Sequence, residues 1–284
     1  MDISIYFEPC SEIELLLDNT EKRIGFNIES FSGKNKFPNL ENAKIAFLGV
    51  KDDRRSYNNI GCGEAPDIVR NFFYNLYPAN NWKVNIVDLG NLIKGNTVDD
   101  TYFALKTVLA ELINDNILPV VIGGGQDLTY ANYLAYESLK KIINIVSIDS
   151  MFNIGTSIDE VNSDNFLSKI IIKQPSYLFN YTNIGYQTYL VDREAVELLN
   201  NLYFDACRLG IARATMEDTE PLIRNADMLS FDISAVRFSD APGNANSSPN
   251  GFYGEEACQL MRFAGLSDKL SSVGLYEINP LFDN

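Results

Sequence analysis

Three carboxylates in this chain each follow a short apolar run. Asp149 closes Ile142–Ile148 within S-I-D-S-M-F-N (Ser147–Asn153), Asp232 closes Met228–Phe231 in S-F-D-I-S, and Glu277 closes Val273–Tyr276 in V-G-L-Y-E-I-N-P. Runs this dense in Ile, Val and Leu read as strands buried on both faces, the mark of a parallel sheet covered by helices. The residue after such a strand lies at the carboxyl end of the sheet, where open α/β sheets bind ligands. Acids brought together there hold a hard cation, share a proton, or pair with a base such as Arg. Alternatively, each caps the turn that follows it through backbone N–H groups. Burying such acids without a partner is costly, so some partner is expected. The chain has no histidine, which removes the commonest general base and the commonest transition-metal ligand. A Ser-His-Asp triad, a Cys-His pair and any His-based zinc site are excluded.

A fourth apolar run, Leu118–Ile122, ends in the turn Gly123-Gly124-Gly125-Gln126. Leu128 stands where a dinucleotide fingerprint needs its third glycine, and there is no G-K-S/T. The turn therefore reads as a tight strand-to-helix connection rather than a phosphate cradle. Further strands are read at Lys44–Val50, Lys83–Leu89, Thr182–Tyr186, Ala206–Gly210 and Ser271–Ile278. Helices are read at Asp67–Tyr77 after Pro66, from a cap at Asp99 or Asp100 to about Ile113, and at Asp127–Lys141. More follow at Asn165–Ile172, Asp192–Leu202, Thr215–Asn225 and Glu255–Ala264. This alternation requires right-handed βαβ crossovers. The expected fold is a three-layer α/β/α domain over residues 41–284, with a mainly parallel sheet of about eight strands. Residues 1–40 read as an N-terminal extension or lid packed on it, with an edge strand at Ile3–Phe7 and a short helix at Ile13–Leu17. The loop Ser239–Gly251 is long and rich in turn formers, as functional loops often are.

The 284 residues are 46% hydrophobic and 21% charged, enough to bury a substantial single core. The net charge of -15 argues against nucleic acid and anionic membranes as partners. No apolar run approaches membrane-spanning length and no signal peptide is evident, so a cytoplasmic location is expected. Cys10, Cys62, Cys207 and Cys258 lack C-x-x-C spacing and read as reduced thiols.

Six ordered stretches give a resemblance to the arginase-like ureohydrolases, closest to the formimidoylglutamase branch. I-A-F-L-G-V (Ile45–Val50) with G-C-G-E-A-P-D-I-V-R (Gly61–Arg70) is similar to the family's opening strand, glycine loop and G-P-x-x-I-R helix. V-I-G-G-G-Q-D-L-T resembles L-G-G-D-H-S-I-T, I-D-S-M-F-N resembles D-A-H-x-D, and S-F-D-I-S resembles S-F-D-x-D. N-G-F-Y-G-E-E resembles G-G-L-T-x-x-E, and Y-E-I-N-P resembles E-x-N-P. The resemblance implies an arginase/deacetylase-like fold, a homo-oligomer, and hydrolysis of a linear amidine by a hydroxide bridging two manganese ions. It also implies a further C-terminal helix beyond Asn284.

Carried over residue by residue, the metal pattern is degenerate. Gln126 and Met151 stand in the two histidine positions, and Asn153 and Ser234 replace aspartates. Asp149 and Asp232 match the metal-bridging aspartates. Leu167 falls near a further active-site histidine of the arginases. Gln126, Asp149, Asn153 and Asp232 would make one weak oxygen site, while Asp149, Met151, Asp232 and Ser234 would make a poorer one. The expectation is no cofactor, with a single Mn, Mg or Ca ion as the alternative. Arg237 offers a guanidinium for the space between Asp149 and Asp232. If activity persists, Asp149, Asp232 and Glu256 would be catalytic; Glu256, Glu277 and Asn250 would contact substrate. Three functions compete: a ureohydrolase with an altered centre, a non-catalytic scaffold keeping a pocket for a small amidine or amino-acid-like ligand, and metal-free chemistry with Tyr253 or Tyr276 as acid.

Overall fold

The computed structural model describes residues 1–11, 20–33, 35–79, 83–155 and 159–283. Two short strands, β1 (Phe7–Glu8) and β2 (Glu29–Ser30), precede β3 (Ile45–Val50). Then come α1 (Ala65–Tyr74), β4 (Ile86–Leu92), α2 (Val98–Asn114), β5 (Leu118–Ile122), α3 (Leu128–Ser138) and β6 (Ile143–Ile148). The second half runs α4 (Phe166–Ile172), β7 (Leu178–Tyr186), α5 (Arg193–Asn201), β8 (Asp205–Arg208) and α6 (Leu209–Ala214). It closes with α7 (Glu220–Arg224), β9 (Met228–Asp232), α8 (Gly254–Gly265) and β10 (Ser272–Tyr276).

The strands form one ten-stranded sheet in the order β1-β4-β3-β5-β10-β9-β6-β7-β8, with β2 also on β4. Only the β1–β4 pairing is antiparallel. Alternation along the strands sends side chains to two separate cores. On β6, Ile143 and Ile145 join a cluster with Leu105, Val108, Tyr133 and Tyr136 from α2 and α3. Val146 and Ile148 face the other way, towards Ala212, Ile223 and Leu260 from α6, α7 and α8. Helices therefore cover both faces, which is why the central strands are apolar throughout.

The three-layer class is as expected, but the sheet has ten strands rather than eight. The additions are β1 and β2, each two residues long and too short to leave a periodic signal. Ile3–Tyr6, expected as strand, forms a 3-10 helix capped by Asp2, and only Phe7–Glu8 pairs with the sheet. The expected helix Ile13–Leu17 lies outside the described residues. Thr97, not Asp99 or Asp100, caps α2; Asp100 completes a capping box by accepting the Thr97 N–H. The helix expected over Thr215–Asn225 divides into a 3-10 turn, Met216–Thr219, and α7. All four cysteines are free, and among the described residues no helix is long and apolar enough to cross a membrane.

Candidate functional site

The four runs that end in a carboxylate or in the glycine turn are adjacent strands, β5-β10-β9-β6. Tyr276 lies beside Asp232, and Ile148 beside Phe231, so Asp149, Asp232 and Glu277 leave the sheet at one edge. The glycine turn lies on the same edge, where the Glu277 N–H donates to the Gly124 carbonyl (3.0 Å). Gly123 and Gly124 adopt φ of 88° and 75°. A Cβ at Gly123 would lie 2.7 Å from Pro66, and one at Gly124 2.6 Å from the Asp52 carbonyl. The turn's N–H groups are already used: Gly123 donates to Leu275 O, Gly124 to Cys62 O and Gly125 to Asp52 O. It is a packed connection with its donors spent, not a phosphate cradle.

Asp149 is fully buried and accepts three N–H groups. Met151 N reaches Oδ1 at 2.8 Å, while Gln126 Nε2 (2.8 Å) and Asn153 Nδ2 (2.7 Å) both reach Oδ2. Asn153 also donates to Gln126 Oε1 at 2.7 Å, closing a three-residue ring of two side-chain amides and one carboxylate. Burial pushes the Asp149 carboxyl up to about 6; the three donors oppose that rise and the charge of Glu277 adds to it. Among the described residues Asp232 is held only by Ser234, whose N–H lies 2.7 Å from Oδ1. Burial, then Asp149 and Glu277, raise its carboxyl well above the ordinary range.

Glu277 is anchored by groups that the sequence reading left in loops. Its carboxylate accepts from Ser56 Oγ (2.6 Å), Asn59 Nδ2 (2.7 Å) and Gln126 N (2.9 Å). Its carbonyl accepts from Asn59 and Asn244. These bonds hold Glu277 at φ 64°, a conformation costing about 1–3 kcal/mol for a residue of this kind. A fourth acid, Asp127, accepts from Tyr102 Oη at 2.6 Å and has no partner for Oδ1. Burial pushes it up to about 7 against that bond. No Lys or Arg pairs with Asp127, Asp149, Asp232 or Glu277 among the described residues.

Arg237 is not the expected counter-ion. It pairs with Asp240 at 2.7 Å, and its guanidinium lies 3.9 Å from the centroid of the Tyr253 ring. The reason is local: Asp240 is three residues away and Tyr253 supplies a stacking face. Arg213 also lies 3.9 Å from that centroid. Two cations that close require opposite faces, so Tyr253 is clasped between them. Arg213 Nε lies 3.1 Å from Glu256, whose carboxylate also accepts the Tyr253 N–H (2.8 Å) at the start of α8. Glu256 thus already holds a cation and a helix cap. Asn250 is bonded to Gln187 through both its side chain and its carbonyl. Met151 and Ser234 are placed beside the acids by their own backbone bonds to Asp149 and Asp232. Tyr276 is fully buried, and burial pushes its phenol far up, so it is a core residue rather than a proton donor. Among the described residues no group of three or more Cys, Asp or Glu is placed to hold a metal ion.

The arginase-family model matches residues 43–284. A formimidoylglutamase from Staphylococcus haemolyticus is 27% identical over 267 residues, covering 87% of this chain and 85% of the relative. One from Clostridium tetani is 23% identical over 274 residues, covering 90% and 80%. The fold is similar to that of Bacillus subtilis formimidoylglutamase, with a TM-score of 0.81 at 14% identity, covering 95% of this chain and 88% of that one. It is also similar to Trypanosoma cruzi formiminoglutamase solved with Mn²⁺, with a TM-score of 0.78 at 20% identity, covering 87% and 92%.

Proposed function

The chain belongs to the arginase family, and from that premise we propose that it binds a small amidine or amino-acid-like cation at the Asp149–Asp232–Glu277 edge without a two-manganese hydrolytic centre. One observation carries the reading. Among the described residues the acids have no cationic partner, yet the carboxylate that would bridge two metals is ringed by amide N–H groups. Asp149 Oδ2 accepts from both Gln126 and Asn153, and Gln126 Oε1 accepts from Asn153. An ion bound there would face amide hydrogens. Neutral amides, a thioether and a hydroxyl are a poor donor set for a second hard cation. The residues present do not fit the family's metal pair. A single ion would require both amides to turn over and give up Asp149.

An organic cation meets the electrostatic need differently. An amidinium donates N–H groups to carboxylates from outside, leaving the amide ring intact. Asp232 suits this role, since among the described residues Ser234 alone holds it, and at 6% exposure it is the least covered of the three acids at the edge.

Metal analysis and thermal denaturation test the proposal together. After dialysis against manganese the protein should retain well under one ion per chain. Agmatine should raise the melting temperature saturably, equally with and without chelator, and formimidoylglutamate should not be hydrolysed. Ligand at a hundred times its dissociation constant would add about 2.7 kcal/mol to the folded state. Stoichiometric manganese with metal-dependent turnover would overturn the proposal in favour of a hydrolase with an altered centre.

A further inference from the structure

The loop Ser239–Gly251 is fastened on two sides of the acidic edge. Its stems are stitched together: the Phe252 N–H donates to Ala235 O (2.9 Å) and the Arg237 N–H to Phe252 O (3.0 Å), with Phe252 fully buried. On the β10 side four bonds hold residues 243–246. The Asn279 N–H donates to Gly243 O (2.7 Å), Asn244 Nδ2 to Glu277 O (2.8 Å), the Ala245 N–H to Asn59 Oδ1 (3.0 Å) and Asn246 Nδ2 to Tyr57 O (2.9 Å). On the β7 side Gln187 Nε2 donates to Asn250 O (2.9 Å), while Asn250 Nδ2 donates to Gln187 Oε1 (3.2 Å) and Tyr189 Oη (3.1 Å). The sheet order is β10-β9-β6-β7, so the ends of β9 and β6, where Asp232 and Asp149 leave, lie between these anchors. The loop therefore crosses the edge that a ligand must reach.

Its two sides are unequal. Gly243 and Asn244 are buried, whereas Pro249 and Asn250 are exposed. The backbone ties of the tip Ser247–Asn250, from the Ser247 N–H to Asn244 O and from the Phe238 N–H to Ser248 O, stay within the loop and its stem. Asn250 is thus the tip's one hydrogen-bonded tether to the rest of the chain among the described residues. The group that receives it is fixed. Gln187 is 2% exposed, its backbone N–H donates to Ser150 O at 3.0 Å, and its side chain also accepts from Tyr189. We infer that Ser247–Asn250 is a flap gating the acidic edge, latched shut by Asn250 on Gln187. The latch consists of neutral hydrogen bonds, each contributing only about 0.5–1.5 kcal/mol, so local opening is cheap and cutting the latch multiplies the open population. What passes the gate rests on the proposed binding role; the gate itself does not.

A thiol placed under the flap reports opening without any ligand. Ser234 is 2% exposed beside Asp232, and Ser234→Cys in the full chain can be labelled with 2-aminoethyl methanethiosulfonate, a small cation. Peptide mapping separates that label from the label on exposed Cys258, the internal control. Labelling at position 234 should be slow, and adding Gln187→Ala should speed it roughly tenfold while Cys258 keeps its rate. Asn250→Ala, a change at an exposed side chain that leaves the Asn250 carbonyl in place, should give a smaller rise and serves where Gln187→Ala does not fold. Stopped-flow binding of agmatine should show association and dissociation accelerated together by Gln187→Ala. Labelling at position 234 as fast as at Cys258 before the latch is cut, or indifferent to both latch variants, overturns the gate even where agmatine binds. An equal rise at both thiols means general loosening and also overturns it. Agmatine rates unmoved while labelling rises would show that ligand enters by another route, against the gate. Failure of agmatine to bind, with labelling still dependent on the latch, sinks the binding reading and leaves the gate standing.

Discussion

Asp149 and Asp232 look equivalent in sequence, each a single acid after an apolar strand, yet their surroundings are opposite. Asp149 accepts three N–H groups, two of them from side-chain amides that meet at Oδ2. Among the described residues Asp232 accepts from Ser234 alone. Replacing Asp149 by Asn would set an NH₂ group against either the Met151 N–H or the amides of Gln126 and Asn153, and leave at least one buried donor unpaired. The expected cost is about 2–3 kcal/mol, read as a lower urea midpoint at unchanged slope. Asp232→Asn keeps the oxygen that accepts from Ser234 and removes a buried carboxyl whose ionisation is opposed by burial, Asp149 and Glu277. It should leave the midpoint unchanged or raise it at neutral pH. Equal losses in the two variants would refute the assignment of partners. The difference was not legible in the sequence. Residue types gave the acids and amides, but not that Gln126 and Asn153 aim N–H groups at the same oxygen. Nor did they show that Arg237, a long side chain with Asp240 three residues on, would turn away to Tyr253.

At the scale of elements the sequence was more explicit where burial was complete. β6 and β9, buried on nearly every residue, lie within a residue of where their apolar runs placed them. Legibility failed where an element draws its stability from tertiary pairing. β1 and β2 exist because β4 offers an edge, not because two residues prefer extended backbone. It failed again at α2, where acids near a helix start suggested Asp99 or Asp100, while the preceding threonine holds the reciprocal bonds. Thr97→Ala should cost about 1 kcal/mol by removing the acceptor for the Asp100 N–H. The β5-to-α3 connection is less forgiving. Gly123→Ala meets both a φ of 88° and a Cβ 2.7 Å from Pro66. Moving Pro66 would shift the start of α1, so the loss should exceed that of Thr97→Ala several-fold in a urea titration. A smaller loss at Gly123 than at Thr97 would mean the connection is slack.

For the whole molecule, the buried acids make stability depend on pH in a direction unlike that of most acidic proteins. Burial holds Asp127 at about 7 and Asp149 at about 6, and raises Asp232 and Glu277 as well, against about 3.9 for an aspartate in the unfolded chain. Between those limits the folded state binds more protons than the unfolded one, so stability falls as pH rises, by about 1.4 kcal/mol per unit of upward shift once a group is fully ionised. Asp52 and Asp67 oppose this. Burial pushes both up, but Arg54 and Thr101 at Asp52, and Asn91, Ser11 and Lys51 at Asp67, more than offset it. Their contribution is present above the unfolded value and lost as pH falls through their lowered folded values, so it limits stability only in stronger acid. The melting temperature should therefore peak at about pH 4, near the unfolded carboxylate value, and decline towards about pH 8. A flat or rising profile over that range would show that the acids are compensated by some group in the protein. Agmatine, if it binds at the acids, replaces the protons that they lose and should flatten the decline, raising the melting temperature more at about pH 8 than at about pH 5. A shift of the same size at both pH values would place the ligand elsewhere, because only a cation set against ionising carboxylates gains affinity as they titrate.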